Sequence, residues 1–257
     1  SGPYKIDTVK RNASGIPMYY ELTPFKKYAL GAPYISSVIL KFFSNEKSLT
    51  TAYERGDVES VNSISPQNAE ALKKDGLRVE RTALPRIFGV FFNQNQAPVF
   101  ANKEVRQALT IALDKQRIVD EVLDGYGTTI RSAIPPGLLS QPKPDDENIE
   151  DRALSARTIL EKAKWKWNPE KEVMEFKGKK TTTELRFSIA TSNTPELKKT
   201  AELIKTMWEK AGARVEIKIF EPGDLNQNVI RPRKYDALLF GEIIGRDLDL
   251  FAFWHSS

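Results

Sequence analysis

Short apolar runs bounded by glycine or proline alternate along this chain with segments that carry their own helix start and stop signals. That alternation constrains the fold more than any other feature. "GIPMYYELTP" and "PYISSVILKFF" are β-rich runs, while "NEKSLTTAYERGD" between them and Asp57 has a polar cap, helical spacing and a glycine stop. "VESVNSIS" reads as a short strand. "SPQNAEALKKDG" opens with Ser65 as N-cap and Pro66 at the first helical position, and it ends at Gly76. After "LRVERTAL", the run "RIFGVFFNQN" (Arg86 to Asn95) is too short and too rich in β-branched and aromatic residues for a helix. Strands alternating with helices predict an α/β sandwich with sheets flanked by helices.

The second half repeats the pattern. In "NKEVRQALTIALDKQRIVDEVLDG", Val105, Ala108, Leu109, Ala112, Leu113, Val119, Val122 and Leu123 fall at helical spacings. Asn102 caps the first turn, Asp114-Lys115 can open a second helix, and Gly125 ends the stretch. Periodicity alone assigns this segment no chemistry. "IRSAIPPGLLSQPKPDDEN" is proline-rich and irregular, and it should wrap over a surface. "DRALSARTILEKAKW" reads as a helix and "TELRFSIATSN" as a strand. "TPELKKTAELIKTMWEKAGA" is a helix capped by Thr194 with Pro195 in its first turn, and "RVEIKIFEP" is another strand. "GDLNQNVIRPRKYDALLFGEII" offers a short helix and a buried strand from Ala237 to Phe240.

Composition narrows the function classes. The 257 residues can bury a full core as one large domain or two ordinary ones. The chain has no apolar run near the roughly 20 residues of a membrane span. The start "SGPYKIDTVKRN" lacks the features of a secretory signal, so the chain is either cytosolic or begins partway through a longer one. Zero cysteines exclude disulfides, thiolate catalysis and Cys-ligated metal. A net charge of +5 and 39 Lys and Arg raise a nucleic-acid-binding or adaptor reading. The basic residues are dispersed, however, and the densest cluster, "KWKWNPEKEVMEFKGKK", holds Glu170, Glu172 and Glu175 among its lysines and reads as a solvated hairpin.

Catalytic constellations are sparse. His255 is the only histidine and stands near the chain end, so a Ser-His-Asp triad or a histidine metal site has little to draw on. The Gly-x-Gly of "GYGTTI" follows a helix, where a nucleotide-binding turn would follow a strand. Asp247 and Asp249 suit helix capping better than a cation loop, which needs more oxygen ligands. An α/β hydrolase or transferase domain would need a convergent acid, base or nucleophile set, and these residues do not suggest one. The residues therefore point away from an enzyme and toward a binding or scaffold role, with no catalytic residue, metal or cofactor expected.

Several blocks then appear in a recognisable order: "SGPYKI"; "YISSVILKFFSNEKSLTTAYERGDVESV" with Gly56-Asp57; "FFNQNQAPVFANKEVRQALTIALDKQRIVDEVLDGYG"; and "YDALLFGEIIGRDLDLFAFWHSS". Together they resemble the extracytoplasmic solute-binding proteins of oligopeptide and dipeptide ABC transporters, solute-binding family 5. The resemblance implies type II periplasmic-binding-protein-like lobes, with residues 1–82 forming part of the first lobe and 83–257 most of the second. On that reading the chain is a central portion of a longer protein. It captures a peptide-like solute in an interlobe cleft and delivers it to ABC permease subunits, as a monomer, with no nucleic acid as partner. Its place is the periplasmic or extracellular face of the membrane, in free or lipid-anchored form.

The same resemblance nominates ligand-binding residues. Asn62 and Ser63 follow the Gly-x-hydrophobic-Asp unit of the first lobe. Gly89 and Phe91 alternate on the strand before Asn93. Ser192 and Asn193 end a strand ahead of a helix N-terminus, a place suited to an anionic group. Glu242 stands where relatives carry a tryptophan, and "EIIGRD" puts Ile244 or Gly245 where the family's amine-binding aspartate is expected. Glu242 or Asp247 can substitute for it, or Arg246 can attract a carboxylate instead.

Overall fold

The computed structural model describes residues 2–62, 64–80, 82, 86–130, 132 and 151–243. The chain divides into two compact units, Ser1–Val79 and Glu80–Ser257.

The first unit pairs β1 (Tyr4–Arg11), β2 (Pro17–Pro24) and β3 (Val38–Lys41) into an antiparallel sheet of that order. Two helices follow, α1 (Glu46–Glu54) and α2 (Pro66–Lys74). Asn45 caps α1 by accepting from the Ser48 N–H at 2.9 Å, and Ser65 does the same for Asn68 at 3.4 Å. The Glu46 carboxylate accepts the Ser65 N–H and so ties the two helices together. Partial burial pushes its pKa up, but hydrogen bonds from Asn68 and Ser65 outweigh that and hold it below the ordinary value of 4.5. "VESVNSIS" forms no strand among its described residues.

The second unit is built on a four-stranded sheet in the order β4 (Arg86–Phe92), β10 (Ala237–Ile243), β8 (Arg186–Ser192), β9 (Arg214–Phe220). Strands β10, β8 and β9 are parallel, and β4 runs antiparallel along the edge. One face carries α3 (Lys103–Ile111), α4 (Lys115–Leu123), α5 (Arg152–Lys162) and α6 (Pro195–Lys210). Val105, Ala108, Leu109, Leu160, Phe187, Ile189, Ile204, Trp208 and Leu239 make the core between them. The amphipathic stretch splits because Asp114 leaves helical geometry, caps α4 through the Arg117 N–H at 2.9 Å, and gives its own N–H to Met207 Sδ at 3.2 Å. Asp124 and Gly125 close α4 with φ of 45° and 76°, a left-handed exit that glycine allows.

A small antiparallel sheet of β5 (Trp165–Asn168), β6 (Val173–Lys177) and β7 (Thr182–Glu184) replaces the solvated hairpin expected from the charge pattern. Trp165, Trp167, Met174 and Phe176 share the face that packs into the α5 and α6 core, while Val173, fully buried, and Glu175, nearly so, lie on the other face. Lysines in sequence therefore did not mean a solvated element. Thr194 stands at the N-cap of α6, yet its side chain makes no capping hydrogen bond.

Candidate functional site

Strands β8 and β9 of the second unit end together, the parallel β10 runs on past them to Ile243, and β4 begins beside its end. In open α/β sheets, ligands bind beyond the carboxyl ends of the strands. Ser192 is the last residue of β8 and is buried, next to Thr191, whose hydroxyl donates to the Leu239 carbonyl at 3.0 Å. That bond ties the end of β8 to the interior of β10. Asn193 follows, exposed, with its backbone N–H donating to the Phe220 carbonyl at 2.8 Å and its side-chain amide to Glu221 Oε1 at 2.7 Å. The ends of β8 and β9 are thus clasped directly ahead of α6.

Register assigns the faces. Phe240 pairs with Gly89 and Leu238 with Phe91, so these four side-chain positions share the face opposite α3 to α6. Glu242 lies on that face too and is 8% exposed. The parallel pairing of Leu238 with Ala190, carried two residues on, puts Ser192 beside Phe240. Four of the nominated residues therefore share one sheet face, with Asn193 at its rim. A Cβ on Gly89 would meet nothing within 4 Å, which leaves open space on this face between Phe91 and the strand ends. Phe91 itself packs against Ala190, Leu225, Val229 and Leu238.

That small cluster is roofed by a helical turn, Pro222–Asp224, which widens into a π-helix at Leu225–Ile230. Leu225 and Val229 are its buried residues, while Asn226, Gln227 and Asn228 stay exposed. Burial raises the Tyr235 phenol above its ordinary value of 10.0, against the opposing charge of Arg233.

Asn62 belongs to the first unit, exposed and outside any strand. Ser63, Arg246 and Asp247 lie outside the described residues. Sequence reasoning missed Glu221, whose carboxylate any anion placed ahead of α6 would meet. It also missed Phe88, half exposed on the other face, with the Arg86 guanidinium 4.9 Å over its ring. The signal for Phe88 was Gly241, a glycine inside a strand, where an added Cβ would come within 2.6 Å of the ring. Two open surface depressions lie elsewhere, about 510 Å³ along Lys103, Arg106, Thr110 and Ile159, and about 500 Å³ along Phe43, Asn45, Thr51 and Asp57.

The family described as bacterial extracellular solute-binding proteins, family 5 (middle), matches residues 1–256. The chain belongs to that family. The oligopeptide-binding protein AppA of Bacillus subtilis is 28% identical over 263 residues, covering 100% of this chain and 46% of its own length. A putative peptide-binding protein AppA from Clostridium difficile superposes with a TM-score of 0.75 at 22% identity, over 98% of this chain and 48% of that one. NikA from Brucella suis, solved with Fe(III)-EDTA, gives 0.73 at 21% identity over 98% and 49%. The chain thus spans about half the length of these relatives, and its fold is that of the type II periplasmic binding proteins, mixed sheets flanked by helices.

Proposed function

We propose that this chain is part of the solute-binding component of an ABC importer and that the solute is peptide-like. The family match over residues 1–256 carries the reading. The rim of Ser192, Asn193, Glu221 and Glu242, with open space at Gly89, supports placing the ligand there. The units Ser1–Val79 and Glu80–Ser257 then belong to the first and second lobes. Hydrogen bonds to the ligand's backbone would hold varied side chains alike, no covalent step is performed, and binding shifts the protein toward the conformation the permease reads. The protein works as a monomer at the periplasmic or extracellular face of the membrane, free or lipid-anchored.

Isothermal titration of the full-length protein with short peptides tests this. Gly89→Val fills the open space without a clash, so it should weaken binding at least about tenfold, or ~1.4 kcal/mol, while the unfolding midpoint holds. Unchanged affinity would remove the ligand from this face. The 257-residue chain alone should bind weakly or not at all, and micromolar affinity would refute that expectation.

A further inference from the structure

Six arginines of the second unit give their N–H groups to oxygen: Arg106, Arg152, Arg157 and Arg214 to backbone carbonyls, Arg117 and Arg186 to carboxylates. Arg86 does neither. Its guanidinium carbon lies 4.9 Å over the Phe88 ring, and among the described residues no hydrogen bond or ion pair holds its side chain. Arg231 and Arg233 share that lack, but they stand in the turn ahead of β10, at the other end of that strand, and no ring holds them.

The ring beneath Arg86 is itself seated. Phe88 pairs with Gly241 across β4 and β10, and a Cβ on Gly241 would come within 2.6 Å of the ring, so only glycine lets the aromatic face settle on the strand. An exposed arginine ordinarily samples many rotamers and loses that freedom when it binds. Stacking has already restricted this one, while its planar edge of N–H donors stays open to solvent. Glu242, opposite Ile87 in the register, lies on the other face.

Arg86 is also well placed. It is the first residue of the edge strand β4 and pairs with Ile243, the last of β10, at the end of the sheet where ligands of open α/β folds bind. Phe88 and Ile243 are 47% and 76% exposed there. At about 3.4 Å per residue, Arg86 stands about 10 Å along β4 from the open space at Gly89, the reach of roughly three extended peptide residues. Beyond the first residue of an edge strand the two faces of a sheet are continuous, so a ligand lying at Gly89 can extend to the guanidinium.

We infer that Arg86 is a specificity-determining residue that reads a carboxylate of the bound solute, and that Phe88 and Gly241 are the positioning residues that hold it. The fork of N–H donors matches a carboxylate through two parallel hydrogen bonds, and a guanidinium without an internal partner keeps its full charge for that contact. This inference rests on the peptide-like reading above and adds which group of the solute is recognised.

Isothermal titration of the full-length protein with two pairs of short peptides tests it. One pair differs in a free or amidated C-terminus, the other in a glutamate or glutamine side chain. The native protein should prefer the carboxylate member of a pair by at least about tenfold, and the pair that shows it tells whether the carboxylate is terminal or carried on a side chain. Arg86→Gln should abolish the preference by weakening the acid to the level of its neutral twin, with the unfolding midpoint unchanged. Arg86→Lys, a charge without the fork, should keep a preference of only a few fold, and Phe88→Leu should reduce it part-way. No acid preference in either pair, or one that survives Arg86→Gln, would overturn the assignment while leaving peptide binding intact. Binding of none of the four peptides would overturn the peptide-like reading and this inference together.

Discussion

Two tryptophans of the second unit offer the same substitution in opposite circumstances. Trp208 on α6 is fully buried against Phe92 and Phe187, with ring centroids 6.0 and 5.3 Å away, and its indole N–H donates to the Leu109 carbonyl at 2.8 Å. Leu109 lies in the last turn of α3, where carbonyls have no intrahelical partner, so Trp208 serves a group that is otherwise stranded. Trp165 on β5 is 4% exposed, but its N–H finds no partner among the described residues. Replacing either with phenylalanine removes roughly 40 Å³, worth about 1 kcal/mol at ~24 cal/mol per Å³ if the site does not collapse. At Trp208 the stranded carbonyl adds about 1–3 kcal/mol, for a total near 2–4. At Trp165 the loss of an unsatisfied donor offsets the cavity, leaving roughly 0–1 kcal/mol. Urea unfolding followed by far-UV circular dichroism measures both. Losses for Trp208→Phe and Trp165→Phe that agree within 0.5 kcal/mol or so would refute the assigned role of the Trp208 hydrogen bond.

Gly212, at φ 100°, would place a Cβ 2.6 Å from Met174 Cγ and 3.2 Å from Trp167, so Gly212→Ala should cost at least ~2 kcal/mol in the same assay. Asp236 accepts both the N–H and the hydroxyl of Ser188, at 2.8 and 2.7 Å, and pins the start of β10 to β8; Asp236→Ala should cost about 2–3 kcal/mol and raise hydrogen exchange at Ser188. Lys171, hydrogen-bonded to Glu175 and Glu184 at 2.9 Å each, holds both carboxylates below the ordinary 4.5. Their contribution is therefore present above pH 4.5 and lost as pH falls through the lowered values, and Lys171→Met should flatten that acid limb of an unfolding titration.

The architecture was legible where local chemistry and tertiary packing agree. Asn102, Asp114 and Ser65 cap the helices their positions suggested, and Arg86–Phe92 and Ala237–Ile243 became paired strands. It was illegible where a distant partner decides. "VESVNSIS" has strand-forming residues yet forms no strand among its described residues, and "KWKWNPEKEV" buries one side because α5 and α6 supply a surface that no local pattern reveals. The candidate site divides the same way. Gly89, Phe91 and Ser192 could be placed on strands from sequence and Glu242 just past the end of one, but their common face follows from β10 running on to Ile243 and from a pairing of residues about 150 apart. Glu221 became part of the rim only through its bond to Asn193, 28 residues upstream.

Native mass spectrometry of the full-length protein, refolded free of ligand and equilibrated with a mixture of short peptides, reads out peptide capture on this sheet face. One-to-one adducts of peptide mass are expected, and they should weaken in the Gly89→Val variant. A spectrum showing only the bare protein at millimolar peptide, or adducts indifferent to Gly89→Val, would contradict it.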